Sequence, residues 1–189
     1  MDRLPTLIAL VALVACDKGK DQPEPASRVN AAKVSAKKTD TAAFCDKKLD
    51  AETAPVFQPP ELAGGSLAPS TKWRWINVWA TWCKPCIEEL PRLVKWQQEL
   101  ASFDLQFVSV DETDDDVTAY RKLHPETPET RRLAKPDAQG AWFGQLGLDA
   151  AAPIPVHIFV DPSNRVRCVR AGGVREQDLA MVEALFAGK

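Results

Sequence analysis

The sequence has little of several features that would point to common classes of protein. Lysine and arginine do not outnumber aspartate and glutamate, and the formal net charge of −2 gives no reason to expect nucleic-acid binding. No apolar run approaches the roughly 20 residues that a membrane-spanning helix needs. The cysteines include one closely spaced pair, and no second close Cys/His pair is present to complete a zinc site.

The amino terminus has the pattern of an export signal. Arg3 supplies a positive charge, and residues 7–14 form a short apolar stretch, so residues 1–16 predict a signal peptide. The stretch ends in Leu-Val-Ala-Cys, which resembles the lipobox of bacterial lipoproteins. That resemblance implies that Cys16 is lipidated and anchors the protein to a membrane. An ordinary signal peptide with a chance cysteine is the alternative.

The total of 189 residues predicts one domain with appendages. Residues 17–43 are rich in Lys, Asp, Ala, Ser and Pro and contain few large apolar side chains, so they cannot bury enough surface to offset their ordering entropy. We therefore predict a flexible tether over residues 17–51, which includes Cys45, followed by a globular domain over residues 52–189.

The most informative stretch is WATWCKPC at residues 79–86. It follows an apolar run typical of a buried strand, and helical spacing of apolar residues follows it, which predicts a strand, a tight turn and a helix that begins near Cys83. Free N–H groups and the helix dipole favour a thiolate at that position. Cys86, one turn later, is placed to attack a mixed disulfide formed at Cys83.

At these residues the chain resembles the thioredoxin superfamily, in particular the TlpA/ResA-like membrane-anchored thiol-disulfide oxidoreductases. The resemblance implies an α/β thioredoxin fold: a central mixed sheet flanked by helices, with an N-terminal β extension. It also implies thiol–disulfide exchange, in which Cys83 attacks and Cys86 resolves. No cofactor is expected beyond the redox-active Cys83–Cys86 disulfide, and no resident metal.

A second stretch, Ile154-Pro155 before an apolar strand, resembles the cis-proline segment that faces the cysteine pair in this superfamily. The resemblance implies that Pro155 is part of the catalytic site and that the Ile154 backbone pairs with an extended substrate. The other residues expected to bind substrate surround the cysteines and are Trp82, Lys84 and Pro85.

Glu89 is a further candidate. Cytoplasmic thioredoxin has a buried aspartate six residues before the first active-site cysteine, but this chain has Asn77 there, so that role cannot be transferred. The Cys-x-x-Glu-x-Pro pattern from Cys86 onwards resembles the ResA branch, in which the glutamate tunes the cysteines. The alternative is an exposed first-turn glutamate favoured by the helix dipole.

Two cysteines, Cys45 and Cys168, belong neither to the lipidation site nor to the redox pair. Some TlpA-like proteins have a structural disulfide between an N-terminal segment and a late strand, and this pair resembles it; two free buried cysteines are the alternative. Apolar patterns predict further elements, namely strands at 105–111 and 131–134 and helices at 114–123, 141–148 and 177–187.

The resemblance implies a lipid-anchored monomer on the periplasmic side of the envelope. Its expected partners are protein thiols and disulfides, such as those of apocytochrome c or copper-site proteins, and a membrane thiol donor of the CcdA/DsbD type. Two alternatives stay open. One is a non-enzymatic copper chaperone using Cys83, Cys86 and His157, although His157 reads better as a packed core residue. The other is a thiol peroxidase.

Overall fold

The computed structural model describes residues 40–188. The predicted signal peptide, its lipidation site Cys16 and residues 17–39 of the predicted tether lie outside the described residues. Within residues 40–188, no helix combines the length and the apolar character that crossing a bilayer requires.

A seven-stranded mixed sheet forms the centre of the domain. Its strands are β1 (Lys47–Lys48), β2 (Leu62–Ala63), β3 (Trp73–Trp79), β4 (Phe103–Ser109), β5 (Thr130–Leu133), β6 (Val156–Val160) and β7 (Val166–Ala171). They lie side by side in the order β1-β7-β6-β3-β4-β5-β2. The central strand β3 runs parallel to β4 and antiparallel to β6.

Within residues 40–188, four helices flank this sheet, which confirms the predicted thioredoxin fold. They are α1 (Lys84–Glu99), α2 (Asp114–Leu123), α3 (Ala138–Gln145) and α4 (Leu179–Ala187), the last preceded by a 3-10 turn at Glu176–Asp178. The start of α2 is set locally: Thr113 accepts from the Asp116 backbone N–H, and the Asp116 carboxylate accepts from the Thr113 N–H.

The two central strands are buried along their whole length, as their nearly continuous apolar sequences predict for strands covered on both faces. Trp75 of β3 anchors the core, with its ring centroid 4.8 Å from that of Phe159 and 5.6 Å from that of Phe103. The register between β3 and β6 places Asn77 opposite His157. Two polar residues are thus paired inside an apolar core.

The folded domain begins earlier than residue 52, so the predicted tether is too long at its carboxyl end. Phe44 and Cys45 are buried, and β1 adds to the edge of the sheet beside β7. Phe44 packs edge-on against Phe159, with ring centroids 5.8 Å apart. The polar composition of the segment does not predict this burial, because the residues that stabilise the segment lie more than a hundred positions later in the chain.

The N-terminal β extension consists of two short strands on opposite edges of the sheet. β1 pairs with β7 on one side, and β2 pairs with β5 on the other. The predicted strand near 131–134 corresponds to β5, whereas α3 begins three residues before the predicted helix at 141.

Candidate active site

The paired cysteines lie where β3 gives way to α1. Cys83 is the N-cap residue of α1, and its Sγ accepts a hydrogen bond from the Cys86 backbone N–H at 3.3 Å. The two cysteines form a disulfide with sulfurs 2.01 Å apart. Both residues are buried, Cys86 completely and Cys83 with 5% exposed. On reduction, the unpaired N–H groups and the positive end of the helix dipole favour a thiolate at Cys83.

The turn before Cys83 is fixed by Asp111, a residue that the sequence did not single out. Asp111 lies two residues after the end of β4 and is fully buried. Its carboxylate accepts hydrogen bonds from the Thr81 backbone N–H at 3.1 Å, from Thr81 Oγ1 at 2.7 Å and from Ser109 Oγ. Because β3 and β4 are parallel, their carboxyl ends lie at the same edge of the sheet. This parallel pairing could have predicted that Asp111 lies near the turn before Cys83.

The Ile154-Pro155 segment lies against the first cysteine. The peptide bond between them is cis, Pro155 is buried and Ile154 is half-buried. The carbonyl oxygen of Ile154 is 3.7 Å from the Sγ of Cys83. The structure therefore brings together two stretches that are 71 residues apart in the chain.

Three side chains around Cys83 are open to solvent. Trp82, directly before the cysteine, is 68% exposed, and Lys84 and Pro85 directly after it are also exposed. Lys84 Nζ lies 3.8 Å from a carboxylate oxygen of Glu88, a surface pair of small energetic weight. Exposed tryptophan is the side chain most suited to bind a protein partner.

Glu89 is buried in α1, with 2% of its surface exposed, so the alternative of an exposed first-turn glutamate is wrong. The amide Nδ2 of Asn77 donates to its Oε1 at 2.8 Å, and the Val174 backbone N–H donates to its Oε2 at 2.9 Å. Both donors suit an ionised carboxylate. Glu89 lies one helical turn after Cys86, and both side chains face the interior.

His157 is fully buried in β6, as expected for a core histidine. Its Nδ1 accepts a hydrogen bond from the indole Nε1 of Trp75 at 3.0 Å. Among residues 40–188, no three His, Cys, Asp or Glu side chains are grouped as they would be to hold a metal ion. The copper-chaperone alternative, which needs Cys83, Cys86 and His157 together, therefore has no preassembled ligand set in this part of the chain.

The second cysteine pair lies apart in the sheet, between β1 and β7. The sulfurs of Cys45 and Cys168 are 1.99 Å apart, and their Cα atoms are 5.5 Å apart. Arg170 of β7 covers the Phe44 ring at 4.7 Å and donates to the Phe44 carbonyl oxygen at 2.9 Å. This disulfide joins the beginning of the domain to a late strand.

No protein-family model matches the chain. Curated proteins similar in sequence include a thiol:disulfide interchange protein, a thiol-disulfide oxidoreductase and a thioredoxin-like protein. The thiol:disulfide interchange protein HelX of Rhodobacter capsulatus is 29% identical over 62% of each chain, and the thiol-disulfide oxidoreductase ResA of Halalkalibacterium halodurans is 24% identical over 54% of this chain and 56% of its own. The thioredoxin-like protein YneN of Bacillus subtilis is 41% identical over 24% of this chain and 29% of its own. The chain thus spans less than two thirds of each relative.

Solved structures show the same fold. A thioredoxin-related protein from Neisseria meningitidis serogroup B matches with a TM-score of 0.52 and 25% identity, over 68% of this chain and 93% of that one. A DsbF homologue from Corynebacterium diphtheriae matches with a TM-score of 0.56 and 21% identity, over 73% of this chain and 91% of that one. Fold and sequence agree: the chain has the thioredoxin fold, and its sequence is similar to those of the thiol:disulfide interchange protein HelX and the thiol-disulfide oxidoreductase ResA.

Proposed function

We propose that this protein is a thiol-disulfide oxidoreductase that acts on protein substrates outside the cytoplasm and works as a reductase. One observation carries the proposal: Cys83 caps α1, is bonded to Cys86 and lies against the Ile154 carbonyl. This arrangement places a reactive sulfur beside a backbone edge that can pair with an extended peptide. The sequence relationship to HelX and ResA supports the same activity.

The reaction proceeds in two exchanges. In the reduced protein, the Cys83 thiolate attacks a substrate disulfide and forms a mixed disulfide, and the displaced substrate thiolate takes up a proton. Cys86, after losing its proton, then attacks the Cys83 sulfur and releases the second substrate thiolate. The substrate gains two electrons, and the protein is left with the Cys83–Cys86 disulfide.

Each turnover consumes one reduced cysteine pair, so a thiol donor must restore it. We assign this role to a membrane dithiol protein of the CcdA/DsbD type. Its electrons would reduce Cys83–Cys86 by the same two exchanges in reverse. Oxidised cysteines of apocytochrome c or of copper-site proteins are the proposed substrates, because such thiols have to be reduced before they bind haem or metal.

The proposed location rests on the amino-terminal sequence. Cys16 would carry the lipid, and the polar segment after it would separate the domain from the membrane surface. In this position the exposed Trp82, Lys84 and Pro85 would meet partners of the envelope. Labelling with a radioactive fatty acid, lost in a Cys16→Ser variant, tests the anchor independently of the chemistry.

Trapping of mixed disulfides tests the proposed activity. A Cys86→Ser variant cannot resolve the intermediate, so in cells it should accumulate adducts joined through Cys83, which non-reducing gels separate and mass spectrometry identifies. A Cys83→Ser variant should give no adducts. Equal capture by both variants, or none by Cys86→Ser, would contradict the exchange mechanism.

The direction of electron flow can be read from the reduction potential. A reductase is expected to have a midpoint potential for Cys83–Cys86 between about −270 and −180 mV, the values for thioredoxin and disulfide isomerase. Equilibration with glutathione buffers at pH 7 measures it. A value near about −120 mV, as in strong oxidants, would assign the opposite direction.

A further inference from the structure

A cluster of buried polar side chains lies between α1 and the central strands. Trp75 and Asn77 come from β3, Glu89 from α1 and His157 from β6, and none of the four is more than 2% exposed. The proposed function rests on Cys83, Cys86 and the Ile154 carbonyl. It gives no role to His157, although a polar imidazole at the centre of an apolar strand is costly unless its nitrogens are used.

The contact with Trp75 fixes which nitrogen of His157 carries the proton. An indole N–H can only donate a hydrogen bond. Because Trp75 Nε1 lies 3.0 Å from His157 Nδ1, that nitrogen must act as an acceptor and carries no proton. The imidazole is therefore neutral, with its hydrogen on Nε2.

That hydrogen lies next to Glu89. His157 Nε2 is 3.4 Å from Glu89 Oε1, and in the described chain it has no aligned hydrogen-bond partner. The same Oε1 already accepts from Asn77 Nδ2. The imidazole N–H therefore lies beside an oxygen of the buried carboxylate, within 3.4 Å of it.

We propose that His157 is a positioning residue that orients the Glu89 carboxylate beside the cysteine pair, with Trp75 fixing the imidazole tautomer that does so. This rests on the proposed function only in that Cys83–Cys86 is the redox centre. A negative charge near a thiol pair disfavours its thiolates, so the charge on Glu89 and the redox state of the cysteines are linked.

Among the described residues, the other charged and titratable groups near Glu89 lie on α1 and β7. Along α1, Cys86 is the titratable neighbour one turn away. Arg92 of α1 donates to the Val174 carbonyl at 2.7 Å, and Arg170 of β7 donates to the Gly173 carbonyl at 3.4 Å. Both guanidiniums bond to the backbone that donates to Glu89 rather than to its carboxylate. The imidazole Nε2 of His157 therefore faces the carboxylate itself, at 3.4 Å from Oε1.

Nitrogen-15 NMR of the imidazoles tests the tautomer directly in the full chain. The chain has two histidines, and the partly exposed His124 serves as an internal reference. We expect His157 to show an unprotonated Nδ1 and a protonated Nε2. In a Trp75→Phe variant the donor is lost, and the Nδ1 signal should shift towards a tautomer mixture. A His157 protonated on Nδ1 in the unaltered protein would overturn the proposal.

The pH dependence of the Cys83–Cys86 reduction potential, measured against glutathione, tests whether His157 positions Glu89. His157→Asn removes the donor near Oε1, so the carboxylate is no longer oriented and the potential curve should shift by about 30 mV, a tenfold change in the exchange equilibrium with glutathione. His157→Gln places an amide N–H near the former Nε2 and should restore most of the original curve.

A Glu89→Gln background supplies the matched control. There, His157→Asn should leave the potential curve unchanged, since no carboxylate remains to be held. A shift of equal size in this background would overturn the proposal, as would identical curves for the Asn and Gln variants. These measurements need no protein substrate, so they remain readable even if trapping through Cys83 fails and the proposed function falls.

Discussion

Loss of the Cys45–Cys168 disulfide should lower the free energy of unfolding by about 4–5 kcal/mol. The bond joins residues 123 apart, and the chain-entropy relation for a closed loop of that size gives this magnitude. For a domain of this size the midpoint of thermal unfolding should fall by roughly 10 °C or more. Calorimetry and urea titration of a Cys45→Ser/Cys168→Ser variant, with Cys83–Cys86 oxidised, measure the effect.

The active-site disulfide supplies a matched control. It joins residues only 3 apart, so the same relation gives about 2 kcal/mol for a Cys83→Ser/Cys86→Ser variant. The two double variants replace the same atoms and differ chiefly in loop length. Equal losses of stability would show that the long loop is not the source of stabilisation.

Replacement of Asp111 by alanine should reduce both stability and activity. It removes the acceptor for the Thr81 N–H, the Thr81 hydroxyl and the buried Ser109 hydroxyl. Each unsatisfied buried donor costs about 1–3 kcal/mol, so we expect a loss of roughly 3 kcal/mol. The turn that positions Cys83 also loosens, and disulfide exchange should slow by about tenfold or more. Denaturant titration and an insulin-reduction assay measure the two effects.

Asp116 supplies the matched control for the Asp111 substitution. Its carboxylate also accepts from a threonine backbone N–H and hydroxyl, those of Thr113, but it lies on the surface at the start of α2. Asp116→Ala should cost about 1 kcal/mol, the usual value for a helix cap, and should leave the exchange rate unchanged. Similar effects of the two substitutions would mean that burial and proximity to Cys83 are not what makes Asp111 important.

The parts of the site that could be predicted are those encoded locally. The strand before the cysteines, the helix after them and the position of Cys83 at the helix start follow from residues 73–99 alone. The Ile154-Pro155 stretch was found because its pattern is equally local. The predicted helix at 114–123 matches α2 because its capping residues adjoin it in sequence.

The parts that could not be predicted depend on register between distant strands. Nothing in the local sequence says that Trp75 donates to His157, or that Asp111 reaches back to Thr81. The same holds for the early start of the domain, since β1 is stable only beside β7. A polar residue inside each of two apolar strands, Asn77 and His157, was the one visible hint that such contacts exist.

The covalent bond at the start of the domain also determines how mechanical load is carried. A pull applied on the amino-terminal side of Cys45 passes straight through the sulfurs into Cys168. The two-residue strand β1 and the long stretch of chain between the bonded cysteines are bypassed. The turn at Cys83 lies within that bypassed stretch, so tension on the amino terminus would leave its geometry undisturbed.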